Sequence, residues 1–527
     1  MRSFIPDKIK NKLATKYLDW AESVPKTSQG FINVLQEIRE QHRQDSQEAY
    51  KRSRPPKGVE VDFLYFRLVE MFQLEDFDSL KDGLIRLMPG LKGDLLSYDF
   101  IANFERQAES IHGGSWMRLG YVIRDRKQRN IGMDPYRIMP ELPEEVYFID
   151  LEVHKLLPSV FAVTLDVHLT DEATHRLIRL QDRQYLPRLE LRKAVPWKLW
   201  DHGFSETDAN MEMRRTILEW LEELRSRVEI CLKPFISGHF MKSSPDKSAR
   251  LPAIEVYGLK GAPEGVESFY TWTKEARWWL DSLGFDFVFN TYSDGSLVFM
   301  RPRDERLFGQ LSERGQPTFR LVVLWEQYLK STDARPHGGN ERTAIIHKTS
   351  YVLTALLPTV PLLRFLNSVQ TSIEKIRRVS YLTMKSGRRL GKYLKLSAKI
   401  QRESMLLERI SLDIEQQKQI LEHKMKGLET LEFIVNPADK KKRGDLKEHT
   451  DKTIEYNINL LKSQLSLIRT SSSEFVTLQN MRAMYRLQWY VLVLSIIATI
   501  ATIISVFAAW PNIVEFLRTM GFQINTK

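Results

Sequence analysis

The sequence predicts an α+β soluble N-terminal region, followed by a long coiled-coil-like α-helical hairpin and one C-terminal transmembrane helix. Three patterns support this fold class: an uncharged apolar run, a preceding region almost without proline or glycine, and alternating strand-like and helix-like segments before that. The predicted regions are a mainly helical part at 1–115, an α+β domain at 116–330, a linker with an apolar Pro-containing segment at 331–366, the helical hairpin at 367–486, the transmembrane helix at 487–510 and a short tail at 511–527.

The apolar run WYVLVLSIIATIATIISVFAAW (489–510) predicts the transmembrane helix. Its length corresponds to about 33 Å of helix, which matches a hydrocarbon core of about 30 Å. Trp489 and Tyr490 at one rim and Trp510 at the other have the positions of interfacial aromatic residues. The alternative is a buried helix of a soluble protein, but such long helices usually have a charged face. Pro511 predicts the end of the helix.

The charges beside the apolar run predict its orientation. Arg482 and Arg486 precede the run, whereas Arg518 and Lys527 follow it together with Glu515. The excess of basic residues on the first side places that side in the cytoplasm. The first twenty residues lack the apolar core of a signal peptide. The sequence therefore predicts a single-pass membrane protein with the bulk of its chain in the cytoplasm.

Two runs of apolar residues at steps of three and four predict the hairpin. The first run contains Leu407, Ile410, Ile414, Leu421, Leu428 and Leu431, and the second contains Ile454, Ile458, Leu461, Leu465, Ile468 and Phe475. The segment NPADKKKRGD (436–445) predicts the turn between them, and the second arm is expected to continue into the transmembrane helix. This stalk predicts a homo-oligomer. The alternative is a pair of ordinary helices packed in a globular bundle.

Basic residues concentrate just after an apolar segment. The net charge is +11, and residues 375–402 contain ten Lys or Arg and no Asp or Glu. This basic helix is predicted to bind anionic lipid beside the membrane. Nucleic acid is disfavoured because no reader motif accompanies the charge. The predicted lipid-binding residues are Arg377, Arg378, Arg388, Arg389, Lys392 and Lys395.

The apolar segment 351–366 contains Pro358 and Pro361. The two prolines make it a poor spanning helix. Contact with the membrane surface, burial under the soluble domain and a second span remain open.

The soluble part alternates between helix-like and strand-like patterns. Helices are predicted within 60–112 and at 208–232, 264–283 and 321–330, and strands at 117–125, 145–153, 159–169, 186–194 and 251–259. Asp294-Gly295 predicts the turn of a hairpin over 285–302.

The motifs of the sequence predict a protein that is not an enzyme and has no cofactor. The sequence contains no GxGxxG, Walker-type, GxSxG or HExxH motif. The strongest set of metal-ligand types is His168, Asp171 and His175 in DVHLTDEATH, but capping of a helix by Thr170 is the favoured reading. HGGS (112–115) is interpreted as a turn, and Cys231, the single cysteine, as a small core residue.

The layout resembles that of CorA-type magnesium channels, in which an α/β domain precedes a long helix that enters the membrane. Their Gly-Met-Asn signature is missing here, since AAWPNIVEF (508–516) follows the span. The resemblance therefore implies only an alternative function, an oligomeric pore or ion-transport protein, and transfers no residue roles. The function that the sequence favours is a membrane-anchored, oligomeric sensor, scaffold or effector of the bacterial stress or defence type. Its expected partners are the lipid bilayer, further copies of the chain and an unidentified protein.

Overall fold

The computed structural model describes residues 55–89, 100–110, 116–128, 135–183, 185, 188–191, 204–207, 209–243, 251–264, 266–283, 285, 291–300, 318–331, 340–386, 390–433 and 444–521. The chain divides into two units. The α/β unit comprises the described residues up to Ser368 together with Leu406–Ile458. The helical unit comprises Val369–Met405 and the described residues from Asn459 onward.

The strands of the described chain all belong to the α/β unit. They are β1 (Glu60–Gln73), β2 (Trp116–Ile123), β3 (Tyr136–Ile138), β4 (Val146–Leu157), β5 (Val160–Leu169), β6 (Arg188–Leu191), β7 (Phe204–Thr207), β8 (Ala253–Lys260), β9 (Thr291–Ser293), β10 (Leu297–Met300), β11 (Thr318–Leu324) and β12 (Glu432–Phe433).

The α-helices of the described chain are named in the same way. They are α1 (Phe77–Leu87), α2 (Phe100–Glu109), α3 (Asp171–Asp182), α4 (Ala209–Leu232), α5 (His239–Ser243), α6 (Val266–Glu275), α7 (Arg277–Ser282), α8 (Trp325–Ser331), α9 (Glu341–Leu356), α10 (Thr359–Ser386), α11 (Leu390–Gln416), α12 (Lys418–Lys424) and α13 (Leu446–Thr519).

Ten strands form one mixed sheet in the order β12-β9-β10-β11-β8-β1-β5-β4-β2-β3, and β6 pairs with β7 separately. The pairs β8–β11 and β2–β3 are parallel, and the other pairs of the large sheet are antiparallel. Gly295 has φ 91° in the turn between β9 and β10, where the sequence predicts a hairpin turn. Glycine is favoured at this position because positive φ values strain other residues.

The prediction of helix over the first part of 60–112 is wrong, because Glu60–Gln73 is the central strand β1. It pairs with β5 on one side and with β8 on the other, and its side chains from Phe63 to Phe72 are buried. A strand that is buried on both faces shows a nearly continuous apolar run instead of alternation. FLYFRLVEMFQ therefore lacks the period that identifies an ordinary strand.

The predicted helix at 321–330 is also partly wrong. Thr318–Leu324 forms β11, and the helix α8 begins only at Trp325. Val322 and Val323 favour the extended conformation, in which β-branched side chains pack well. Burial of the whole strand removes the polar positions that would have separated it from the helix that follows.

The structure does not confirm a coiled-coil hairpin. Residues 406–458 lie in the α/β unit, where Leu407 and Ile410 of the first predicted run are fully buried. Asp413 accepts hydrogen bonds from the amide (2.9 Å) and the hydroxyl of Ser159, in the turn between β4 and β5. These contacts correspond to ordinary packing of a helix against a globular unit.

The apolar segment 351–366 is part of two helices, α9 and α10. Asn340 caps α9 by accepting a hydrogen bond from the amide of Thr343 at 2.7 Å. Glu341–Leu356 and Thr359–Val379 meet at 43°, and together they are long and apolar enough for a bent span. The side chains of Leu353, Val360 and Phe365 are fully buried, which agrees with the alternative of burial in the protein.

Helix α13 is continuous from Leu446 to Thr519 and contains Pro511, so the prediction that Pro511 ends the helix is wrong. Proline removes one backbone hydrogen bond, and membrane helices often tolerate this loss. Within the described chain, Ala483–Thr519 is the one unbroken helical segment that is long and apolar enough to cross a membrane, and none of its most apolar window is buried.

Candidate functional site

A row of charged residues crosses one face of the sheet in the α/β unit. Arg67 of β1 lies opposite Asp166 of β5, and Asp166 lies opposite Asp150 of β4. Directly paired residues of neighbouring strands project from the same face. The side chains of this row therefore share the face that is covered by α9, which reaches Arg67 through Ser350.

Arg67 and Asp166 form a two-pronged ion pair inside the protein. Nε and Nη2 of Arg67 donate to the two carboxylate oxygens of Asp166, each at 2.6 Å, and the Arg67 side chain is 0% exposed. Burial works against the charged guanidinium, but the charge and hydrogen bonds of Asp166 raise the pKa of Arg67 above its ordinary value. Arg67 is thus protonated, and its two hydrogen bonds to Asp166 fix it in position.

The next pair, Arg118 with Asp150, is closer to solvent. Arg118 donates to Asp150 at 3.1 and 2.6 Å and also to the hydroxyl of Tyr121. Burial raises the pKa of Asp150 to about 6, although Arg118 acts in the opposite direction. This carboxyl group therefore titrates near neutral pH.

Beside this pair, His154 connects a carboxylate with an exposed aromatic ring. Its Nε2 lies 3.1 Å from Glu152, and its ring stacks on Trp116 with centroids 6.4 Å apart and an interplanar angle of 23°. Burial lowers the pKa of His154, so the imidazole is neutral at pH 7. Burial also favours neutral Glu152, but the hydrogen bond from His154 and the charge of Arg67 hold the pKa of Glu152 below its ordinary value.

Lys424 is the last residue of α12. Its charge acts on His154, and burial lowers the pKa of Lys424 to about 8. In the part of the chain that the structure describes, the Lys424 ammonium makes no hydrogen bond and no ion pair. We refer to Trp116, Arg118, Glu152 and His154 as the Trp116 site.

The opposite face of the sheet has its own buried ionic group. Glu255 of β8 lies between Arg225 of α4, which donates to it, and Arg320 of β11, whose Nε is 2.9 Å away. The Tyr257 hydroxyl also donates to Glu255 at 3.0 Å. All these groups are buried and have partners, so this cluster fixes α4 on the sheet.

The predicted metal-ligand set is not brought together. His168 is stacked between Tyr65 (5.0 Å) and Phe148 (4.2 Å), and burial lowers the pKa of His168 to about 3. His175 lies on the exposed surface of α3, with Nδ1 2.6 Å from the carbonyl of Asp171. Within the described ranges, no group of three or more His, Cys, Asp or Glu side chains is placed to hold a metal.

Thr170 caps α3, as the sequence predicts. Its hydroxyl oxygen accepts a hydrogen bond from the amide of Ala173 at 3.2 Å and caps α3. Cys231 is half-buried, and its thiol donates to the carbonyl of Glu141 at 3.1 Å.

The structure describes most of the residues that the sequence predicts to contact the membrane. Trp489, Tyr490 and Trp510 are exposed on α13, and Arg377 and Arg378 are exposed on α10. Lys392 and Lys395 lie in α11. Arg388, Arg389 and the HGGS stretch lie outside the described residues.

The start of α13 is attached to one edge of the sheet. Strand β12 pairs with β9, and Glu432 forms a bridge with Asp445, directly before α13. In the first turn of α13, His449 Nδ1 lies 3.0 Å from the Tyr292 hydroxyl, and the Phe433 ring packs against Tyr292 at 5.5 Å. Lys424 belongs to the short stretch of chain that leads to this attachment.

Comparison of the chain with protein-family models, with curated proteins and with solved structures found no match. The geometry of the sites is therefore the basis for the functional argument.

Sequence reasoning missed the Trp116 site because its residues come from two separate strands, β2 and β4, whose pairing is not visible in a single sequence. One signal was present: Asp150, Glu152 and His154 alternate along a strand that is otherwise mostly apolar. Such alternation places all three side chains on one face. A polar face within a buried strand requires partners, which here include Arg118 and Trp116 of β2.

Proposed function

We propose that this chain is a membrane-anchored sensor or scaffold, in which the α/β unit binds a ligand or protein and α13 connects it with the bilayer. The observation that carries this proposal is the continuity of α13. One helix begins with residues of the α/β unit and includes the apolar segment Ala483–Thr519. A helix without a break can transmit a displacement of its first turns along its axis.

The attachment of the first turn of α13 supports a sensing role. The β12–β9 pairing, the Glu432–Asp445 bridge and the Tyr292–His449 contact hold this turn against the sheet. The segment from Lys424, whose charge acts on His154, to Phe433 leads to this attachment. A ligand that changes the position of Lys424 would therefore act on the start of α13.

The proposed membrane arrangement follows from the surface of α13 and from charge. An apolar helix with exposed side chains is stable in lipid, where the hydrocarbon surrounds it. The basic residues Arg482 and Arg486 favour a cytoplasmic location for the side that precedes the segment. The exposed Arg377 and Arg378 of α10 would add attraction to anionic headgroups, at about 1 kcal/mol per residue near the surface.

Removal of residues 487–527 tests the anchor. We expect the full-length chain to remain in the membrane pellet after carbonate extraction and the shortened chain to move to the supernatant. A matched control lacks only residues 520–527 and should remain in the pellet, because it retains the apolar segment. Extraction of the full-length chain by carbonate would contradict the proposal.

If the shortened chain stays bound to membranes, the anchor is another part of the molecule. Flotation with vesicles of neutral lipid, or of neutral lipid with one fifth phosphatidylserine, distinguishes the two cases. Binding that requires phosphatidylserine and is lost in the R377E/R378E variant would identify the basic helix as the anchor.

Self-association is part of the proposal, because associated copies would allow a signal to pass between their single spans. We expect one defined oligomer in detergent by light scattering. The alternative function, an oligomeric pore, shares this expectation but also predicts ion flux through reconstituted protein. A monomer at all concentrations would exclude the pore and restrict the proposal to an anchored scaffold.

A further inference from the structure

The apolar segment of α13 is longer than a bilayer requires. Ala483–Thr519 contains 37 residues, which correspond to about 55 Å of helix. The hydrocarbon core is about 30 Å thick and takes up about 20 residues. The uncharged run 489–510, with Trp489 and Trp510 at its two ends, already spans this thickness. The last turns of α13, beyond Trp510, therefore lie outside the hydrocarbon core, on the side of the bilayer that follows the span.

These last turns have one apolar and one polar face. We refer to residues 512–520 as the tail helix. Its apolar side chains recur at the helical spacing of three and four, and they are Ile513, Phe516, Leu517 and Met520. Glu515 and Arg518 are three residues apart and lie on the other face. The side chains of Phe516 and Met520 are 60% and 61% exposed, so the apolar face is open.

The tail helix is delimited at both ends. Pro511 lacks an amide hydrogen, so the helical hydrogen bond to the carbonyl of Phe507 is missing and the helix can bend at this point. At the other end, the amide of Gly521 donates to the carbonyl of Arg518 at 3.1 Å, and Gly521 has φ 88°. A glycine in the left-handed conformation is a common helix stop. The tail helix is therefore a defined segment that can be oriented separately from the span.

We propose that the tail helix lies in the bilayer–water interface, with its apolar face against the acyl chains and with Glu515 and Arg518 in water. Amphipathic helices of this kind bury their apolar face about 5–10 Å into the headgroup boundary. Lipid is the adjacent partner, because Trp510 places the beginning of the tail helix at the level of the headgroups. The inference rests on the proposed function, since it requires that the preceding segment spans the bilayer.

The charges of the tail helix favour a neutral lipid surface. Glu515 and Arg518 cancel, and 512–520 contains no other Asp, Glu, Lys or Arg. Burial of apolar surface, and not attraction to anionic headgroups, therefore supplies the free energy of binding. In this position the tail helix fixes the depth and the rotation of the span in the bilayer.

Cysteine labelling of the full-length protein in phosphatidylcholine vesicles tests this placement. Single cysteines are introduced by the substitutions Glu515→Cys, Phe516→Cys, Leu517→Cys and Arg518→Cys. A membrane-impermeant maleimide is supplied to both sides of the vesicles by freezing and thawing. Cys231 stays in place, and its labelling, located by mass spectrometry of the peptides, is the internal reference. Positions 515 and 518 should react about tenfold faster than 516 and 517, because burial of one large apolar side chain contributes roughly this factor.

The four positions should react equally after denaturation in detergent, which controls for intrinsic reactivity. Equal reaction in vesicles would place the tail helix in water, and equal protection of all four positions would place it in the hydrocarbon core. Either result would overturn the proposal.

A second copy of the chain would also protect positions 516 and 517, and dilution separates this case from lipid. Reconstitution with about tenfold more lipid weakens contacts between copies by mass action but leaves contacts with lipid unchanged. Protection that persists supports the interface, and protection that is lost would assign the apolar face to another copy. The labelling ratio should be the same with one fifth phosphatidylserine, and a requirement for this lipid would overturn the role of apolar burial.

A double substitution tests the apolar face directly. With Ile513→Cys as the reporter, F516S/L517S should increase the reaction at position 513 about tenfold, because the neighbouring apolar contacts are lost. E515Q/R518Q is the matched control on the polar face and should leave position 513 protected. Unchanged reaction in F516S/L517S would overturn the proposal.

Failure of this inference can be distinguished from failure of the anchor. F516S/L517S should remain in the carbonate-resistant pellet, because the run 489–510 is intact. Release of this variant would assign the tail helix to the span itself and overturn its interfacial placement. Equal labelling of positions 515–518 with an intact pellet fraction of the unmodified protein would overturn the tail helix alone and leave the membrane role standing.

Discussion

The α/β unit and the apolar segment of α13 distribute polarity in opposite ways. In the α/β unit the guanidinium of Arg67 is completely buried beside Asp166. In Ala483–Thr519 the large apolar side chains are exposed, including Ile500 at 51%. The first arrangement is stable only with a fixed partner for each charge, and the second only in an apolar surrounding.

This difference shows that burial alone does not identify a core. The sheet excludes water and accepts charges where ion pairs compensate them, as at Glu255 with Arg225 and Arg320. The apolar segment has no protein cover for its most apolar window and no charge between residues 489 and 510. Each region should therefore respond differently to the addition or removal of one charge.

The largest effect is expected from breaking the buried pair with the substitution Asp166→Leu. Arg67 would then remain as an uncompensated charge that is 0% exposed. Removal of one partner of such a pair typically destabilises a protein by about 3–5 kcal/mol. Urea unfolding of the full-length protein in detergent, followed by tryptophan fluorescence, measures the change.

The double variant R67M/D166L is the control for this prediction. It removes both charges and should regain most of the lost stability, because apolar replacements of a buried pair are often neutral. Equal destabilisation in the single and double variants would mean that packing, and not charge, dominates at this position.

The converse experiment places a charge in the apolar segment with the substitution Ile500→Arg. A charged residue at the centre of a membrane helix raises the apparent free energy of insertion by about 2.5–3.5 kcal/mol. We expect a clear decrease in the carbonate-resistant fraction. Ile500→Leu is the control and should behave as the original protein, and full retention of the arginine variant would contradict membrane insertion of this segment.

The same contrast explains which features could be predicted from the sequence. The apolar segment is recognisable because length and hydropathy are local properties that require no partner. The strand β1 was misread because it is buried on both faces, and this depends on β5 and β8, which lie far along the chain. Gly295 and Thr170 were predicted correctly, since turns and caps depend on a few neighbouring residues.

The Trp116 site could not be predicted from the sequence either, because it also depends on contacts between residues that lie far apart along the chain. Trp116 belongs to β2, and only the pairing of β2 with β4 brings it to His154. The alternation of Asp150, Glu152 and His154 identifies a polar strand face but not its partners.

A pH experiment tests whether Asp150 behaves as a buried acid. Its pKa is raised to about 6 by burial, compared with about 3.9 in an unfolded chain. The folded state therefore binds this proton more tightly, so the contribution of Asp150 to stability is greatest below pH 4 and is lost as the pH rises through 6. We expect this group to lower the free energy of unfolding by about 2 kcal/mol between pH 4 and pH 7.

Asp150→Asn should remove this part of the pH dependence. Glu144→Gln is the matched control, because Glu144 is an exposed carboxylate paired with Arg124. Parallel stability profiles for Asp150→Asn and the unmodified protein would show that Asp150 does not titrate in this range.

The smallest effect is expected from replacing a threonine in each of the two regions. The Thr170 hydroxyl caps α3 by accepting from the Ala173 amide, whereas the Thr499 hydroxyl donates to the carbonyl of Ser495 within α13. Thr170→Ala should lower the free energy of unfolding by about 1 kcal/mol, because an amide of the first turn loses its acceptor. Thr499→Ala should have almost no effect on membrane extraction, because that carbonyl keeps its helical hydrogen bond. Thr170→Ser preserves the cap and should retain nearly full stability, so a loss as large as that of Thr170→Ala would attribute the effect to the methyl group and not to the hydroxyl.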